Sequence, residues 1–206
     1  KPEIFFFAER CSGCGACVSV CPHGAAVYDA KGNIRIDRAK CTGCGACVNV
    51  CPENARTLVG REMSVDEVIS EVLKDRNFYN NSGGGMTISG GDPVAQPAFT
   101  LALLQRGKQE GLHTAIETSA FTSWNIFRHI IEYTDLVYVD IKCIDRQRHK
   151  KHTGVYNDLI LENAINMSAV KPVKVRVPVI PGFNDDVEEL RRIADFAKDK
   201  MSSKDE

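Results

Sequence analysis

One cysteine-rich segment occurs twice in the sequence. The stretch CSGCGACVSVCP at residues 11–22 returns as CTGCGACVNVCP at residues 41–52, with ten of the twelve letters unchanged. These two boxes contain eight of the chain's nine cysteines. Cys-x2-Cys-x2-Cys spacing crowds the thiols together, as metal ligands require, whereas disulfide frameworks spread their cysteines along the chain. We therefore expect reduced thiols that bind metal.

Each box follows the spacing Cys-x2-Cys-x2-Cys-x3-Cys-Pro, by which bacterial ferredoxins hold two 4Fe–4S clusters. In that pattern, the fourth cysteine of each box binds the cluster of the other box. The first predicted set of ligands is Cys11, Cys14, Cys17 and Cys51. The second set is Cys41, Cys44, Cys47 and Cys21. Two structural zinc sites are the alternative, because four thiolates also bind zinc, although zinc sites seldom have this spacing.

The glycines of the boxes and the segment between them fit the same interpretation. Gly13, Gly15, Gly43 and Gly45 suit a backbone that wraps tightly around a cube and offers N–H groups to its sulfides. Between the boxes, AAVYDAKGNIRIDRAK predicts a hairpin with its turn at residues 31–33. We predict a ferredoxin-like electron-transfer domain over residues 1–58, in which each box supplies a loop and a short helix.

The charge and hydropathy of the chain exclude two classes of partner. The 206 residues contain 26 Lys and Arg against 27 Asp and Glu, so the chain has no net positive charge that would attract nucleic acid or an anionic membrane. No apolar run approaches the roughly 20 residues that a membrane helix needs. The opening KPEIFFFAER has too short an apolar core for a signal peptide. We expect a cytoplasmic protein with no nucleic-acid and no membrane partner.

From residue 60 onward, predicted strands and helices alternate. The strands lie in GGGMTISGGDP, HTAIETSA, LVYVDIKC and VKVRVPVIPG, and the helices near residues 64–73, 95–110, 123–133, 158–169 and 185–199. This βαβ series predicts a parallel sheet, either open or curled toward a barrel, whose chemistry sits at the carboxyl ends of the strands. The residues at those ends are Ser89, Gly90, Gly91, Asp92, Glu117, Thr118, Ser119, Asp140, Lys142 and Arg176. We expect them to share one pocket.

Taken with the cysteine boxes, five further motifs carry a family resemblance: GGGMTISGGDP, AIETSA, VDIK, KHTGVYNDLILEN and VRVPVIPGFND. The chain resembles the activating enzymes of glycyl radical enzymes, a branch of the radical S-adenosylmethionine (SAM) family. The motifs cover nearly the whole chain in the family's order and spacing. The resemblance implies an α/β fold with a partial TIM-like (β/α) barrel over residues 59–206 and a small inserted ferredoxin-like domain.

The resemblance also implies roles for the residues at the strand ends. Residues 89–92 match the motif that hydrogen-bonds the amino group of SAM, and Lys142 would meet its carboxylate. Asp140, Glu117 and Thr118 resemble oxygen ligands that hold a monovalent cation beside the cofactor, although Glu117 replaces an aspartate seen in some members. Arg176 and the turn PGFN at residues 181–184, which ends in Asn184, would lie near the adenosine side. Asp140 and Lys142 are the candidate catalytic residues.

The implied reaction is the reductive cleavage of SAM to methionine and a 5'-deoxyadenosyl radical, which removes hydrogen from a glycine of a partner glycyl radical enzyme. A flavodoxin or ferredoxin would supply the electron, which would pass through the two clusters to a third 4Fe–4S cluster. The family binds that third cluster on a Cys-x3-Cys-x2-Cys loop, which the resemblance places just before Lys1, and it places a final strand beyond Glu206. We expect the full-length enzyme to be longer than this chain and to be a monomer.

Two other functions remain open at this point. A ferredoxin-type electron carrier would explain the cysteine boxes, but it gives no purpose to SGGDP or to Asp140 and Lys142. A radical SAM enzyme that acts on a small molecule would explain both features. The ninth cysteine, Cys143, cannot replace a three-cysteine loop, and we interpret it as a small buried residue.

Overall fold

The computed structural model describes residues 2–201. They form two compact units, which divide between Ser64 and Val65. The boundary predicted after residue 58 falls inside a strand of the first unit, Arg56–Val59. The predicted outer limits of the two domains, residues 1 and 206, lie outside the described residues.

The first unit is built from two similar halves. Each cysteine box forms a loop followed by a short helix, α1 (Ala16–Val20) in the first box and α2 (Ala46–Asn49) in the second. Each helix follows a glycine in the left-handed conformation, Gly15 with φ 79° and Gly45 with φ 81°. Residues with a Cβ rarely adopt this conformation. The repeat in the sequence is therefore also a repeat in the backbone.

Two antiparallel strand pairs complete the first unit. Strand β1 (Glu3–Phe6) pairs with β4 (Arg56–Val59), and β2 (Ala26–Tyr28) pairs with β3 (Ile34–Ile36). The β2–β3 pair confirms the predicted hairpin, whose turn is held by Asp29: its Oδ1 accepts hydrogen bonds from the backbone N–H groups of residues 31 and 33 at 2.8 and 2.9 Å. The β1–β4 pair was not predicted, because its short strands lie far apart in the sequence.

The second unit contains a four-stranded parallel sheet. The strands are β5 (Gly85–Ile88), β6 (His113–Thr118), β7 (Leu136–Asp140) and β8 (Val173–Arg176). They lie side by side in sequence order. This is the order of consecutive strands in a (β/α) barrel. The structure therefore confirms the predicted parallel α/β organisation of this part of the chain.

Helices connect and flank these strands. They are α3 (Val65–Val72), α4 (Arg76–Ser82), α5 (Pro97–Gln109), α6 (Trp124–Glu132), α7 (Arg146–Thr153), α8 (Asp158–Ser168) and α9 (Val187–Lys200). Two of these helices, α4 and α7, lie outside the predicted ones. The sequence of α4, RNFYNNS, is rich in residues of low helix propensity, and that of α7, RQRHKKHT, has no apolar periodicity. Between residues 2 and 201, no helix is long and apolar enough to cross a membrane.

The core of the second unit covers both faces of the sheet. Ala115 and Ile116 are adjacent in β6, so their side chains point to opposite faces, and both are buried. Val137 of β7 and Phe127 of α6 are fully buried in the same apolar cluster. Burial on both faces is typical of parallel sheets. The half-buried polar residues therefore collect at the ends of the strands.

Candidate functional site

The first unit contains two cavities lined by cysteines. Three cysteines of the second box and the last cysteine of the first line cavity I, namely Cys41, Cys44, Cys47 and Cys21. Three cysteines of the first box and the last cysteine of the second line cavity II, namely Cys11, Cys14, Cys17 and Cys51. These sets have the same members as the two ligand sets predicted from the spacing. The fold thus brings together all eight predicted cluster ligands in two groups of four.

The two cavities fit a cubane cluster better than a zinc ion. Zinc needs its four ligands to converge on one point at about 2.3 Å for sulfur. Among the described residues, no group of three His, Cys, Asp or Glu side chains is placed to hold a single metal ion. A 4Fe–4S cube instead needs one thiolate at each of four corners. Cysteines spread around the wall of a cavity meet that need.

A backbone N–H group donates a hydrogen bond to the last cysteine of each box. The N–H of Ala25 donates to Cys21 Sγ at 3.2 Å, and the N–H of Ala55 donates to Cys51 Sγ at 3.3 Å. Burial alone would raise the pKa of Cys21, but the neighbouring backbone N–H groups outweigh it and lower the pKa below its usual value. These contacts favour the thiolate, which is the form that binds iron.

In the second unit, the carboxyl ends of the strands bring the remaining predicted site residues to one edge of the sheet. Asp140, the last residue of β7, pairs in register with Arg176, the last residue of β8. Glu117 and Thr118 end β6, beside β7. Residues 89–92 follow directly after β5. The order of the strands therefore places residues from four separate segments of the chain next to one another.

The loop after β5 is anchored by the carboxylate of Asp92. Its Oδ1 accepts hydrogen bonds from Thr118 Oγ1 at 2.7 Å and from the N–H of Val94 at 3.2 Å. Its Oδ2 accepts from the hydroxyl and the N–H of Ser119 at 2.6 and 3.0 Å. Ser89, Gly90 and Gly91 of the same loop are exposed. The carboxylate is thus occupied by β6, and the backbone of the glycines is the part that a ligand can approach.

Four charged side chains form a continuous row across β6, β7 and β8. Lys142 Nζ lies 3.1 Å from Asp140 Oδ2, Arg176 Nε lies 3.8 Å from Asp140 Oδ1, and Arg176 Nη1 forms an ion pair with Glu117 Oε1. All four side chains are partly exposed, from 21% for Asp140 to 46% for Arg176. The row therefore presents two cations and two carboxylates to a ligand at this edge.

In the structure, the three residues expected to hold a monovalent cation contact other groups of the chain. Glu117 faces the guanidinium of Arg176. The hydroxyl of Thr118 donates to Asp92 and accepts a hydrogen bond from the N–H of Ala120 at 2.9 Å. Asp140 Oδ1 is buried and has no hydrogen-bond partner in the described chain. The positive charge that lies beside both carboxylates in the structure is that of Arg176.

Buried side chains hold the backbone that follows Lys142. Asn184 Nδ2 donates to the carbonyl of Lys142 at 2.7 Å, and Asn157 Nδ2 donates to the carbonyls of Cys143 and Ile144 at 2.8 and 2.9 Å. Sequence reasoning assigned Asn184 only to a turn near the adenosine side. It missed Asn157, although this residue lies in a quoted motif, because a single sequence does not show which polar side chains are buried. Ser119 was predicted only as a strand-end residue, without its contact to Asp92.

Cys143 lies outside the candidate site. Its side chain is buried, and its Sγ donates to the carbonyl of Asp145 at 3.5 Å. Burial, together with the nearby carboxylate of Glu189, raises the pKa of the thiol to about 11. The thiol is therefore protonated at neutral pH, and a protonated thiol is a poor metal ligand and a poor nucleophile.

The geometry defines an α/β protein with a candidate ligand site at the ends of parallel strands and a separate unit with two cysteine-lined cavities. Comparison with protein-family models agrees in both parts. The model of the 4Fe-4S dicluster domain matches residues 10–55, and the model of the Radical SAM superfamily matches residues 38–197. The chain belongs to the radical SAM superfamily.

Curated relatives and a solved structure agree with this assignment. The chain is 44% identical over 199 residues to the isethionate sulfite-lyase activating enzyme of Oleidesulfovibrio alaskensis, which covers 93% of this chain and 64% of that protein. It is 44% identical over 202 residues to the benzylsuccinate synthase activating enzyme of Thauera aromatica, which covers 95% of this chain and 61% of that protein. This chain thus spans less than two thirds of either relative.

The solved structure is a domain of pyruvate-formate lyase-activating enzyme from Bacteroides vulgatus. It is 30% identical to this chain, with a TM-score of 0.54 over 60% of this chain and 77% of that domain. The resemblance to activating enzymes that the sequence motifs indicated is thereby confirmed.

Proposed function

We propose that this protein is the activating enzyme of a glycyl radical enzyme. It would cleave SAM reductively to a 5'-deoxyadenosyl radical and remove hydrogen from a glycine of its partner. The observation that carries the proposal is the edge of the sheet, where an exposed glycine loop after β5 and Lys142 after β7 lie at the carboxyl ends of strands of the same sheet. Activating enzymes among the relatives support it.

The strand-end residues have the chemistry to bind the amino acid part of SAM. The ammonium group needs acceptors, and the exposed loop of residues 89–91 offers a hydroxyl and backbone carbonyls that no side chain shields. The carboxylate needs a cation, and Lys142 offers three N–H donors from a side chain that is 27% exposed. Asp92 positions the loop through Thr118 and Ser119. Asp140 holds the ammonium group of Lys142 in place.

Arg176 has a second role in this proposal. Its guanidinium lies beside Glu117 and Asp140, where the family resemblance led us to expect a monovalent cation. We propose that Arg176 supplies that positive charge and faces the rest of the ligand from the end of β8. A guanidinium remains charged at any physiological pH, so this charge needs no ion from solution.

The cysteine sets of cavities I and II would each hold one 4Fe–4S cluster, which when bound supplies one-electron transfer. We further propose that the whole protein holds a third 4Fe–4S cluster on residues other than those of this chain. A flavodoxin or ferredoxin is the proposed electron donor. Because eight thiols at cluster spacing need a reducing compartment, we propose that the protein lies in the cytoplasm. We also propose that it is a monomer.

Titration of SAM into this chain by anaerobic calorimetry tests the proposed site. We expect Lys142→Met to weaken binding at least about tenfold, because a charge-assisted hydrogen bond contributes about 1.5–3 kcal/mol. Lys198→Met, which removes an exposed lysine from α9, should bind as the native chain does. Absence of binding by the native chain would contradict the proposed site and favour a simple electron carrier.

The partner needs a separate test. The whole protein, a candidate glycyl radical enzyme, SAM and a one-electron reductant would be mixed without oxygen, and the partner examined by electron paramagnetic resonance. A glycyl radical on the partner is the expected result. SAM cleavage without any radical on a protein partner would instead indicate a radical SAM enzyme that acts on a small molecule.

A further inference from the structure

The two halves of the first unit differ at one buried position. With an offset of 30 residues, Cys21 corresponds to Cys51 and Ala25 corresponds to Ala55. Both alanines donate their N–H to the preceding cysteine at nearly the same distance, 3.2 and 3.3 Å. The next residue is Ala26 in the first half and Arg56 in the second. Both are buried, so the second half introduces a guanidinium where the first has a methyl group.

Arg56 lies between the two cysteine-lined cavities. Its side chain lines both cavity I and cavity II. It is only 3% exposed, and its Nη2 is buried with no hydrogen-bond partner in the described chain. On one side the guanidinium contacts the ring of Phe6, at 4.9 Å from the ring centroid. Phe6 lies opposite Arg56 in the β1–β4 pair, so the strand pairing fixes the position of the Cβ atom of Arg56.

A buried guanidinium normally has an anionic partner. Arginine cannot lose its proton in a protein, and an uncompensated charge inside a protein is strongly unfavourable. The aromatic face of Phe6 compensates for only part of this cost. A cubane with four thiolate ligands is an anion, and one in each cavity would place negative charge on both sides of Arg56. Unpaired N–H groups beside cysteine-lined cavities are suited to donate to cluster sulfurs.

We propose that Arg56 is a counter-ion shared by the two clusters and that it raises the reduction potential of both. The inference rests on the proposed cluster content of the cavities. When either cluster takes one electron from a reductant, its negative charge increases by one unit, no covalent bond forms or breaks, and Arg56 keeps its proton. A fixed positive charge between the clusters favours the reduced state of each.

The test is a redox titration of both clusters with dithionite as the reductant, monitored by electron paramagnetic resonance. It compares the native chain with Arg56→Met and Arg56→Lys. Iron and sulfide are measured first. If the native chain binds fewer than about eight irons, the proposed cluster content fails, and this is distinct from a failure of the role of Arg56. Arg35→Met is the matched control, since Arg35 is an exposed arginine of β3 that lines neither cavity.

In Arg56→Met, the equilibrium for reducing each cluster should become at least about tenfold less favourable, which for one electron is a fall of about 59 mV in each potential. In Arg56→Lys, which keeps the charge, the equilibrium constant for reducing each cluster should stay within about threefold of its native value. Arg35→Met should leave both unchanged.

Other outcomes would overturn the proposal. Unchanged potentials in Arg56→Met would show that the charge does not act on the clusters. A shift in only one cluster would show that Arg56 is not shared. If Arg56→Met loses its iron, the result for Arg56→Lys distinguishes the two roles. Native-like reduction potentials in Arg56→Lys would support a role of the charge. Loss of iron, or a tenfold change in the reduction equilibrium, would mean that the shape of the Arg56 side chain matters and not its charge.

Discussion

Among the single residues, Arg176 most changes what the strand-end site requires. Its guanidinium forms an ion pair with Glu117, and its Nε lies 3.8 Å from Asp140 Oδ1. Two neighbouring carboxylates repel each other unless a positive charge lies near them. Because that charge belongs to the chain itself, we expect the site to be independent of the salt cation in solution.

Exchange of potassium for choline tests this expectation. SAM binding by the native chain should change less than about twofold. In Arg176→Gln, which leaves Glu117 and Asp140 without their cation, binding in choline should weaken about tenfold, and potassium should restore part of it. Arg191→Gln, at an exposed position of α9, is the control. Potassium-dependent binding by the native chain, measured by calorimetry, would show that a metal cation belongs to the site.

Among the elements, β7 is held by polar contacts at both of its ends. After its carboxyl end, Asn157 and Asn184 hold the backbone that carries Lys142. Just before its amino end, Asp135 accepts hydrogen bonds from Lys108 Nζ of α5 and from the N–H of Thr114 of β6, each at 2.8 Å. The strand that carries Asp140 is therefore fixed relative to its neighbours by side chains as well as by the sheet.

Asp135 makes the stability of the second unit depend on pH. Burial alone would raise the pKa of Asp135, but the hydrogen bonds from Lys108 and Thr114 outweigh it and lower the pKa. The ionised carboxylate therefore stabilises the fold above the unfolded pKa of about 3.9, and this stabilisation is lost as the pH falls through the lower folded pKa. We expect Asp135→Asn to lower the free energy of unfolding by about 1–2 kcal/mol at pH 7.

Urea unfolding of the native chain and of Asp135→Asn, measured anaerobically between about pH 7 and pH 3, checks this prediction. The difference between the two proteins should shrink toward the acidic end. Asp199→Asn, in the exposed part of α9, should match the native chain throughout. A difference that stays constant over the whole pH range would mean that the charge of Asp135 contributes nothing.

The two cysteine boxes allow a second comparison between elements. Gly13 and Gly43 occupy the same position in the two boxes and have nearly the same left-handed φ, 75° and 73°. A Cβ on Gly13 would meet nothing within 4 Å, whereas a Cβ on Gly43 would lie 2.2 Å from the carbonyl oxygen of Pro2. Only the second box is therefore packed against backbone at this point.

Alanine at both positions should separate the two effects. Gly13→Ala should cost only the strain of a left-handed residue, about 1–2 kcal/mol. Gly43→Ala should cost a further 1–3 kcal/mol or so, because the β1 end of the chain must move. Urea unfolding of the two variants gives both values. Equal destabilisation would show that the backbone near Pro2 moves away at no cost.

For the whole molecule, local patterns in the sequence predicted more than contacts between distant residues. The repeated spacing of the cysteines led to the same two groups of four that line the cavities. The alternation of strands and helices predicted the parallel sheet and the strand ends where Asp140 and Lys142 lie. Both patterns are written in residues that are close together in the sequence.

The features that sequence reasoning missed depend on pairs of distant residues. The β1–β4 pair, which aligns Phe6 with Arg56, joins the two ends of the first unit. The ion pair of Arg176 with Glu117 depends on how far two side chains reach across β7, which lies between their strands. Burial of Asn157 depends on the packing of the loop after β7. No local spacing reports on any of these contacts.

The buried thiol of Cys143 has a consequence for how the protein is loaded with iron. During assembly, incoming iron and sulfide can react with any thiolate that they reach, and a stray site would yield misloaded protein. Eight cysteines line the two cavities, while the ninth is buried beside the carboxylate of Glu189 and keeps its proton at neutral pH, with a pKa of about 11. If the cavities hold clusters as proposed, the burial of Cys143 keeps this thiol from competing for iron, so packing contributes to correct loading.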